Sequence, residues 1–175
     1  MERPLSLALV QMQPVLGDQA ANLETVLERT QAAADKGAQL VIFPELALTG
    51  YNQQLLGERL VRLALGPQDE PLQKLGQAAA RRHIHLVVGY IEKRAIPGVV
   101  YNSIAIFGPD GSLLRRYAKS HLFSGEHLHY RPGAEIQALP VDLGTLGPMI
   151  CMDSPIQHAH IRLTHALPAD QRAAG

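Results

Sequence analysis

Short apolar runs alternate with longer amphipathic segments through the first half of the chain, and this alternation limits the folds available to it. The runs, which are ended by turn-forming or polar residues, cover residues 5–11, 40–43 and 85–92. Short runs of this kind predict buried strands. The segments between them, with apolar residues at helical spacing, cover residues 22–35, 54–65 and 71–82. The pattern predicts an α/β fold of stacked layers, in which helices cover one face of a sheet.

The second half of the chain adds further predicted strands. Residues 99–107 and 112–117 flank the turn sequence Gly-Pro-Asp-Gly, which predicts a hairpin. Residues 137–142 and 146–151 predict two more short strands. Functional side chains in α/β folds gather at the carboxyl ends of strands. Reactive residues are therefore expected at those positions.

Composition narrows the class of protein. A chain of 175 residues with 46% hydrophobic residues is long enough for one domain with a substantial core. A formal net charge of zero argues against nucleic acid or an anionic membrane surface as a partner. The single cysteine excludes an internal disulfide and fits a reducing compartment, so we expect a cytoplasmic location. No apolar segment reaches the length of a membrane span.

Three residues with reactive side chains follow or end predicted strands. Glu45 comes after Pro44 and is either a general base in a water-poor site or a charge at a helix start. Lys119 is either an ordinary solvated cation or a group that stabilises a thiolate or an oxyanion. Cys151 is either a small buried apolar residue or a nucleophile, and a nucleophilic thiol needs a neighbouring base or positive charge. In the nucleophile interpretation, the backbone N–H of Met152 would be a second oxyanion donor.

The segments around these residues resemble the three signature regions of the carbon–nitrogen hydrolase (nitrilase) superfamily. They are Phe43–Tyr51 (FPELALTGY), Tyr117–Phe123 (YAKSHLF) and Gly147–Asp153 (GPMICMD). The resemblance covers about residues 5–153 and implies an α-β-β-α sandwich. Members of the family pair into homo-oligomers. The resemblance implies no metal and no organic cofactor.

The resemblance also implies roles for individual residues. Glu45 would be the general base, Lys119 would stabilise the tetrahedral intermediate, and Cys151 would attack to form a thioester acyl-enzyme that water hydrolyses. Many family members carry a second active-site glutamate, for which Glu126 is the candidate. Tyr51 and His121 would line or support the pocket, although packing roles are as plausible for both.

The implied substrate is a small molecule with a non-peptide carbon–nitrogen bond. The ending Leu-Thr-Gly-Tyr-Asn of residues 48–52 looks most like amidases and N-carbamoyl amide hydrolases, with nitriles as a further possibility. An acyl transferase of the same superfamily is an alternative, because an amine or hydroxylamine can intercept the thioester in place of water.

Eight histidines raise the question of a metal site. Three pairs have the His-x-His spacing that places two side chains on one face of a strand: residues 83 and 85, 127 and 129, and 158 and 160. The chain lacks the HExxH helix and the cysteine pairs of common zinc sites. Surface or capping roles are therefore favoured over a metal site.

The similarity to the family ends abruptly after Asp153. Residues 1–153 form the predicted hydrolase domain, and residues 154–175 form a divergent tail in place of the second half of the sandwich. We hypothesise a shift of reading frame near the Cys151 codon, which translation of the other downstream frames would test. A half-sandwich exposes strand edges and a sheet face, so we expect little activity from this chain alone. The alternative function is an inactive remnant or interaction fragment of such an enzyme.

Overall fold

A computed structural model describes residues 4–153, and every structural statement below refers to these residues. Five strands form one sheet in the order of the sequence. The first three strands pair in parallel, and the last three pair antiparallel. The strands are β1 (Leu7–Leu9), β2 (Leu40–Ile42), β3 (His85–Lys93), β4 (Val100–Phe107) and β5 (Leu113–Ala118).

Two long helices cover one face of this sheet. Helix α1 (Gln19–Asp35) begins where the Asp18 side chain accepts a hydrogen bond from the Ala21 N–H at 3.1 Å. Helix α4 (Glu70–Arg82) has Pro in its first turn and ends at His83, which adopts a left-handed conformation. Their apolar sides bury a core against alternate residues of β2 and β3: Val26, Leu72, Leu75, Val41, Leu86 and Val88.

The opposite face of the sheet packs against a second, smaller sheet. Because side chains of a strand alternate between faces, Leu40 and Val87 point away from the helices. They share a core with Ile136, Leu139 and Ile150, which come from the segment that forms the second sheet. Strands β6 (Leu139–Val141) and β7 (Gly144–Leu146) pair antiparallel there. The predicted α/β fold with layered helices and sheets is confirmed.

The helix predicted over residues 54–65 is wrong in its extent. The structure has two short helices, α2 (Gln53–Leu56) and α3 (Arg59–Leu63), separated by Gly57 and Glu58. Gly57 has a φ of +50°, a conformation that glycine adopts without a Cβ penalty. The two helices still bury Leu56 and Leu60 in a common core.

The strand predicted over residues 146–151 is also wrong. Strand β7 ends at Leu146, residues 147–150 belong to no strand, and a 3₁₀ turn covers Cys151–Asp153. Pro148 contributes to this outcome, since proline has no N–H to donate to a sheet ladder. The predicted tail over residues 154–175, and the histidine pair within it, lie outside the described residues, so the domain boundary stays a prediction.

No helix within residues 4–153 combines the length and apolar character needed to cross a lipid bilayer.

Candidate active site

Lys119 lies just beyond the end of β5, with its side chain fully buried. Its backbone N–H donates to the Asn102 carbonyl of β4 at 2.8 Å, which extends the pairing of the two strands. Its Nζ lies 2.7 Å from Glu45 Oε1 and 2.9 Å from Glu126 Oε2. One ammonium therefore joins two carboxylates that come from distant parts of the chain. We call Glu45, Lys119 and Glu126, with Asn102, the carboxylate–ammonium cluster.

The loop after β2 places Glu45 in this cluster. Pro44 and Leu46 lie so close to Gly89 of β3 that a Cβ on Gly89 would be 2.4 Å from both Pro44 O and Leu46 N. Leu46 itself adopts a φ of +51°. The loop is thus folded tightly onto the sheet, and the Glu45 side chain remains 20% exposed. This small opening is the side from which a substrate could approach the carboxylate.

Glu126 lies in a 3₁₀ turn over Ser124–Leu128 and is fully buried. Its Oε2 accepts a hydrogen bond from the Phe123 N–H at 2.6 Å, which caps the start of the turn. The structure therefore brings the predicted second glutamate onto the same ammonium as Glu45.

Asn102 is a member of the cluster that we did not single out from the sequence. Its Nδ2 donates to Glu45 Oε1 at 2.6 Å and to Glu126 Oε1 at 3.1 Å. The residue is buried in the middle of β4, where a polar amide needs partners. An amide side chain within a mostly apolar strand was the available signal.

Electrostatics hold the cluster together. Burial by itself lowers the pKa of the Lys119 ammonium, but hydrogen bonds and charge interactions with Glu45 and Glu126 outweigh it, so its pKa lies above the ordinary value. Lys119 is therefore charged at neutral pH. Two carboxylates around one ammonium leave the cluster with a net negative charge if both are ionised.

Tyr51 lies at the edge of the cluster. The Lys119 Nζ is 6.0 Å from the centre of the Tyr51 ring, at the limit of a cation–π contact. Burial, followed by the charge of Glu126, raises the pKa of its hydroxyl, so the phenol stays neutral. With 46% of its surface exposed, Tyr51 can contact a small molecule at the opening.

Cys151 makes no hydrogen bond with the cluster in the described residues. Its side chain is exposed, and no hydrogen bond joins its thiol to Glu45 or Lys119. It opens the 3₁₀ turn with a φ of +46°, a strained conformation for a residue with a Cβ. Met152, the predicted oxyanion donor, follows in the same turn and is partly buried.

Asp153 ends this turn and is fully buried, although the sequence interpretation gave it no role. It accepts hydrogen bonds from Ser120 and His121, the two residues that follow Lys119. His121, predicted to line or support the pocket, has its Nδ1 at 3.0 Å from Asp153 Oδ1. The structure thus gives His121 a contact with the turn that carries Cys151.

Two histidines outside the cluster have structural contacts. His83 caps α4, and His85 Nε2 lies 2.5 Å from Asp142 Oδ1, which ties β3 to the β6–β7 turn. Across residues 4–153, no group of three or more His, Cys, Asp or Glu side chains is placed to hold a metal ion.

Comparisons with known proteins agree with this architecture. The family model described as carbon-nitrogen hydrolase matches residues 6–162. A nitrilase of Pyrococcus abyssi is 34% identical over 151 residues, which cover 85% of this chain and 56% of that protein. A human omega-amidase is 34% identical over 117 residues, covering 67% of this chain and 40% of that protein. The chain thus spans about half the length of these relatives.

Solved structures show the same fold. A crystal structure of an amidase from Nesterenkonia sp. superposes with a TM-score of 0.80 at 23% identity, covering 91% of this chain and 60% of that chain. Saccharomyces cerevisiae Nit3, described as a member of branch 10 of the nitrilase superfamily, gives a TM-score of 0.82 at 24% identity, covering 92% and 60% respectively. On the family match and these relatives, the chain belongs to the carbon–nitrogen hydrolase family of the nitrilase superfamily.

Proposed function

We propose that this chain carries the catalytic residues of an amidase-type hydrolase, which cleaves a non-peptide carbon–nitrogen bond of a small molecule with water as the second substrate. The observation that carries the proposal is the buried Lys119 ammonium between Glu45 and Glu126. Buried charges are costly unless paired and hydrogen-bonded, and perturbed groups gather at functional sites. The partial exposure of Glu45 keeps one carboxylate of the cluster within reach of a substrate.

The proposed reaction begins at the Cys151 thiol. Glu45 accepts the thiol proton, and the sulfur attacks the carbonyl carbon of the amide to give a tetrahedral intermediate. The Lys119 ammonium and the Met152 N–H stabilise the oxyanion. The carbon–nitrogen bond then breaks, Glu45 returns the proton to the leaving nitrogen, and a thioester remains.

Water completes the reaction. Glu45 takes a proton from a water molecule, whose oxygen attacks the thioester carbon. The carbon–sulfur bond breaks, the acid product leaves, and the thiol is restored by the proton that Glu45 holds. Glu126 keeps Lys119 in place through both half-reactions, while Tyr51 contacts the substrate at the opening.

The names of the relatives support an amide as the substrate class. One relative is named an omega-amidase, and another, from Thermotoga maritima, a glutamine-dependent NAD(+) synthetase. N-carbamoyl compounds and nitriles remain alternative substrates within this proposal, because both offer an electrophilic carbon bonded to nitrogen. A nitrile would pass through a thioimidate before the thioester.

One observation favours a second candidate, a non-catalytic remnant or interaction fragment. In residues 4–153, no hydrogen bond joins the exposed Cys151 thiol to Glu45 or Lys119. In such a chain the cluster would persist as a buried ion network, while the thiol would react as an ordinary free cysteine.

Alkylation of Cys151 separates the two candidates. Because the chain has one cysteine, intact-protein mass spectrometry after exposure to iodoacetamide reports this residue alone. We expect fast alkylation near neutral pH that Glu45→Gln and Lys119→Ala slow, while Glu70→Gln, which changes an exposed carboxylate on α4, leaves the rate unchanged. A trapped acyl adduct from a panel of small amides and N-carbamoyl compounds would identify the substrate class. Slow alkylation that neither cluster variant changes would refute the catalytic proposal.

A further inference from the structure

The Asp153 carboxylate connects two segments that are more than thirty residues apart in the chain. Its Oδ1 accepts hydrogen bonds from the Ser120 N–H at 3.2 Å and the Ser120 hydroxyl at 2.8 Å. The same oxygen accepts from the His121 N–H at 2.8 Å and lies 3.0 Å from His121 Nδ1. One carboxylate oxygen is thus bound to both residues that directly follow Lys119.

The second oxygen of Asp153 fixes the turn that contains Cys151. Oδ2 accepts from the Ile150 N–H at 3.0 Å, and the Asp153 N–H donates to the Ile150 carbonyl at 3.0 Å. The turn is therefore closed at both ends around Cys151. Oδ2 also accepts from the Tyr117 hydroxyl at 2.7 Å, so β5 itself holds this oxygen.

The turn needs such support because Cys151 has a φ of +46°. A residue with a Cβ in this region is strained by about 1–3 kcal/mol and keeps the conformation only where its surroundings determine it. Within the described residues, the hydrogen bonds of Asp153 are the polar contacts that surround this turn.

The carboxylate keeps its charge in this buried position. Burial raises the pKa of Asp153, but hydrogen bonds from Tyr117, Ile150, Ser120 and His121 outweigh it and hold the pKa below the ordinary value. Hydrogen bonds to an ionised carboxylate are about twice as strong as neutral ones. The connection between the two segments is therefore made by charge-assisted bonds.

We infer that Asp153 is a positioning residue, which sets the place of the Cys151 thiol relative to the Lys119 ammonium by fastening the Cys151 turn to the Ser120–His121 segment. The inference rests on the proposed function, since a position relative to Lys119 matters only if Lys119 acts on the thiol. Asp153 touches neither the thiol nor the substrate in this role, and acts through the backbone of the two segments.

A double-mutant cycle tests the inference. The rate of Cys151 alkylation by iodoacetamide is measured against pH for the full chain and for its Lys119→Gln, Asp153→Ala and doubly substituted variants. If Lys119 stabilises the thiolate, we expect each single substitution to slow alkylation at pH 7 by about tenfold. We expect the double variant to be no slower than either single variant, because both changes remove the same interaction.

Two further variants separate loss of positioning from general loss of stability. Asp153→Asn retains the shape of the side chain, and we expect a partial loss of the rate even if Asp153→Ala unfolds the chain. Glu92→Gln is the matched control, because Glu92 is another fully buried carboxylate, paired with Arg94 and Arg116 away from Cys151. It should lower stability without changing the pH profile of alkylation.

Failure of the inference and failure of the proposed function are distinguishable. An alkylation rate that Lys119→Gln changes but the Asp153 variants do not would overturn the inference alone, as would additive effects in the double variant. An unmodified chain that already reacts like Lys119→Gln would overturn the proposed function. In that event, hydrogen exchange at the Ser120 and His121 amides tests whether Asp153 fastens the Cys151 turn to this segment. Faster exchange in Asp153→Asn than in Glu92→Gln confirms the fastening, and equal exchange refutes it.

Discussion

The carboxylate–ammonium cluster and the Cys151 turn differ in how the fold holds them. Each side chain of the cluster is bound by at least two others, and the loop, strand and turn that carry them lie between Glu45 and Glu126. In the described residues, the side-chain hydrogen bonds between the Cys151 turn and the rest of the domain are made by one carboxylate, that of Asp153, beside the apolar packing of Ile150. The acid–base half of the proposed site is therefore complete within residues 45–126, whereas the polar contacts of the nucleophile's turn depend on one carboxylate.

Among the variants that test this comparison, Lys119→Met is expected to lower the free energy of unfolding the most. The change leaves the fully buried Glu126 and the partly exposed Glu45 without their counter-charge, and breaking a buried ion pair costs about 3–5 kcal/mol. The free energy of unfolding from urea denaturation measures the loss. Cys151→Ser is the matched change in the turn, and at an exposed side chain it should alter stability by no more than about 0.5 kcal/mol. Similar losses for both variants would contradict the contrast between the two regions.

Gly89→Ala is expected to cause the second largest loss of stability, because Gly89 lies in the sheet directly against the Glu45 loop. The added methyl would meet Pro44 O and Leu46 N at 2.4 Å, and backbone atoms cannot yield cheaply. Overpacking of this kind costs about 1–3 kcal/mol and should displace Glu45 from Lys119. Gly66→Ala is the control, since its methyl would meet only the flexible end of Lys93 at 3.3 Å. Equal unfolding free energies for the two variants would show that the loop is not tightly seated.

Asn102→Ala should cost about 1–3 kcal/mol, because the amide donates to both carboxylates and its loss leaves them with one donor fewer. Ser103→Ala, which removes a 2.7 Å hydrogen bond to the separate buried Glu92, is the matched change. Both variants should lose stability in urea denaturation. Only Asn102→Ala should alter the pH profile of Cys151 alkylation, and an altered profile in both would argue that the effect is general loosening.

The smallest expected effect is on the pH dependence of stability, which has opposite signs in the two regions. The raised pKa of Lys119 means that its contribution to stability is fully present below its ordinary value of 10.5 and is lost as the pH rises through the folded value. The lowered pKa of Asp153 means that its contribution is present above 3.8 and is lost as the pH falls through the folded value.

Unfolding midpoints against pH test these signs in two variants. Lys119→Met should flatten the alkaline limb of the curve, and Asp153→Asn should flatten the acidic limb. If either variant flattened the other limb instead, the assignment of charge to that region would be wrong.

Elements with a strong periodic pattern were predictable from the sequence. The helices α1 and α4, the strand β3 and the β4–β5 hairpin fall within a few residues of their predicted bounds, because their apolar spacing is regular and capping or turn residues mark their ends. The prediction failed where one residue interrupts a pattern. Gly57 divides the helix predicted over residues 54–65, and residues 147–150 do not continue β7.

Part of the candidate site was predictable in the same way. Glu45 and Lys119 follow strands, and the common edge of a sheet brings such positions together, as their 2.7 Å contact shows. Asn102 and Asp153 escaped notice because a buried polar residue looks ordinary until its partners are known. Asn102 binds Glu45, which is 57 residues away in the chain, and Asp153 binds Ser120, which is 33 residues away.

The sequence by itself determined the order of strands and helices, the family, and the residue types available for chemistry, because these depend on local periodicity and on short segments. Only the tertiary structure decided which side chains share one ammonium and which carboxylate fastens the Cys151 turn. The physical reason is burial. Removing charges and amides from water forces each to find a partner, and the choice of partner is made by the packing of segments that are remote in sequence.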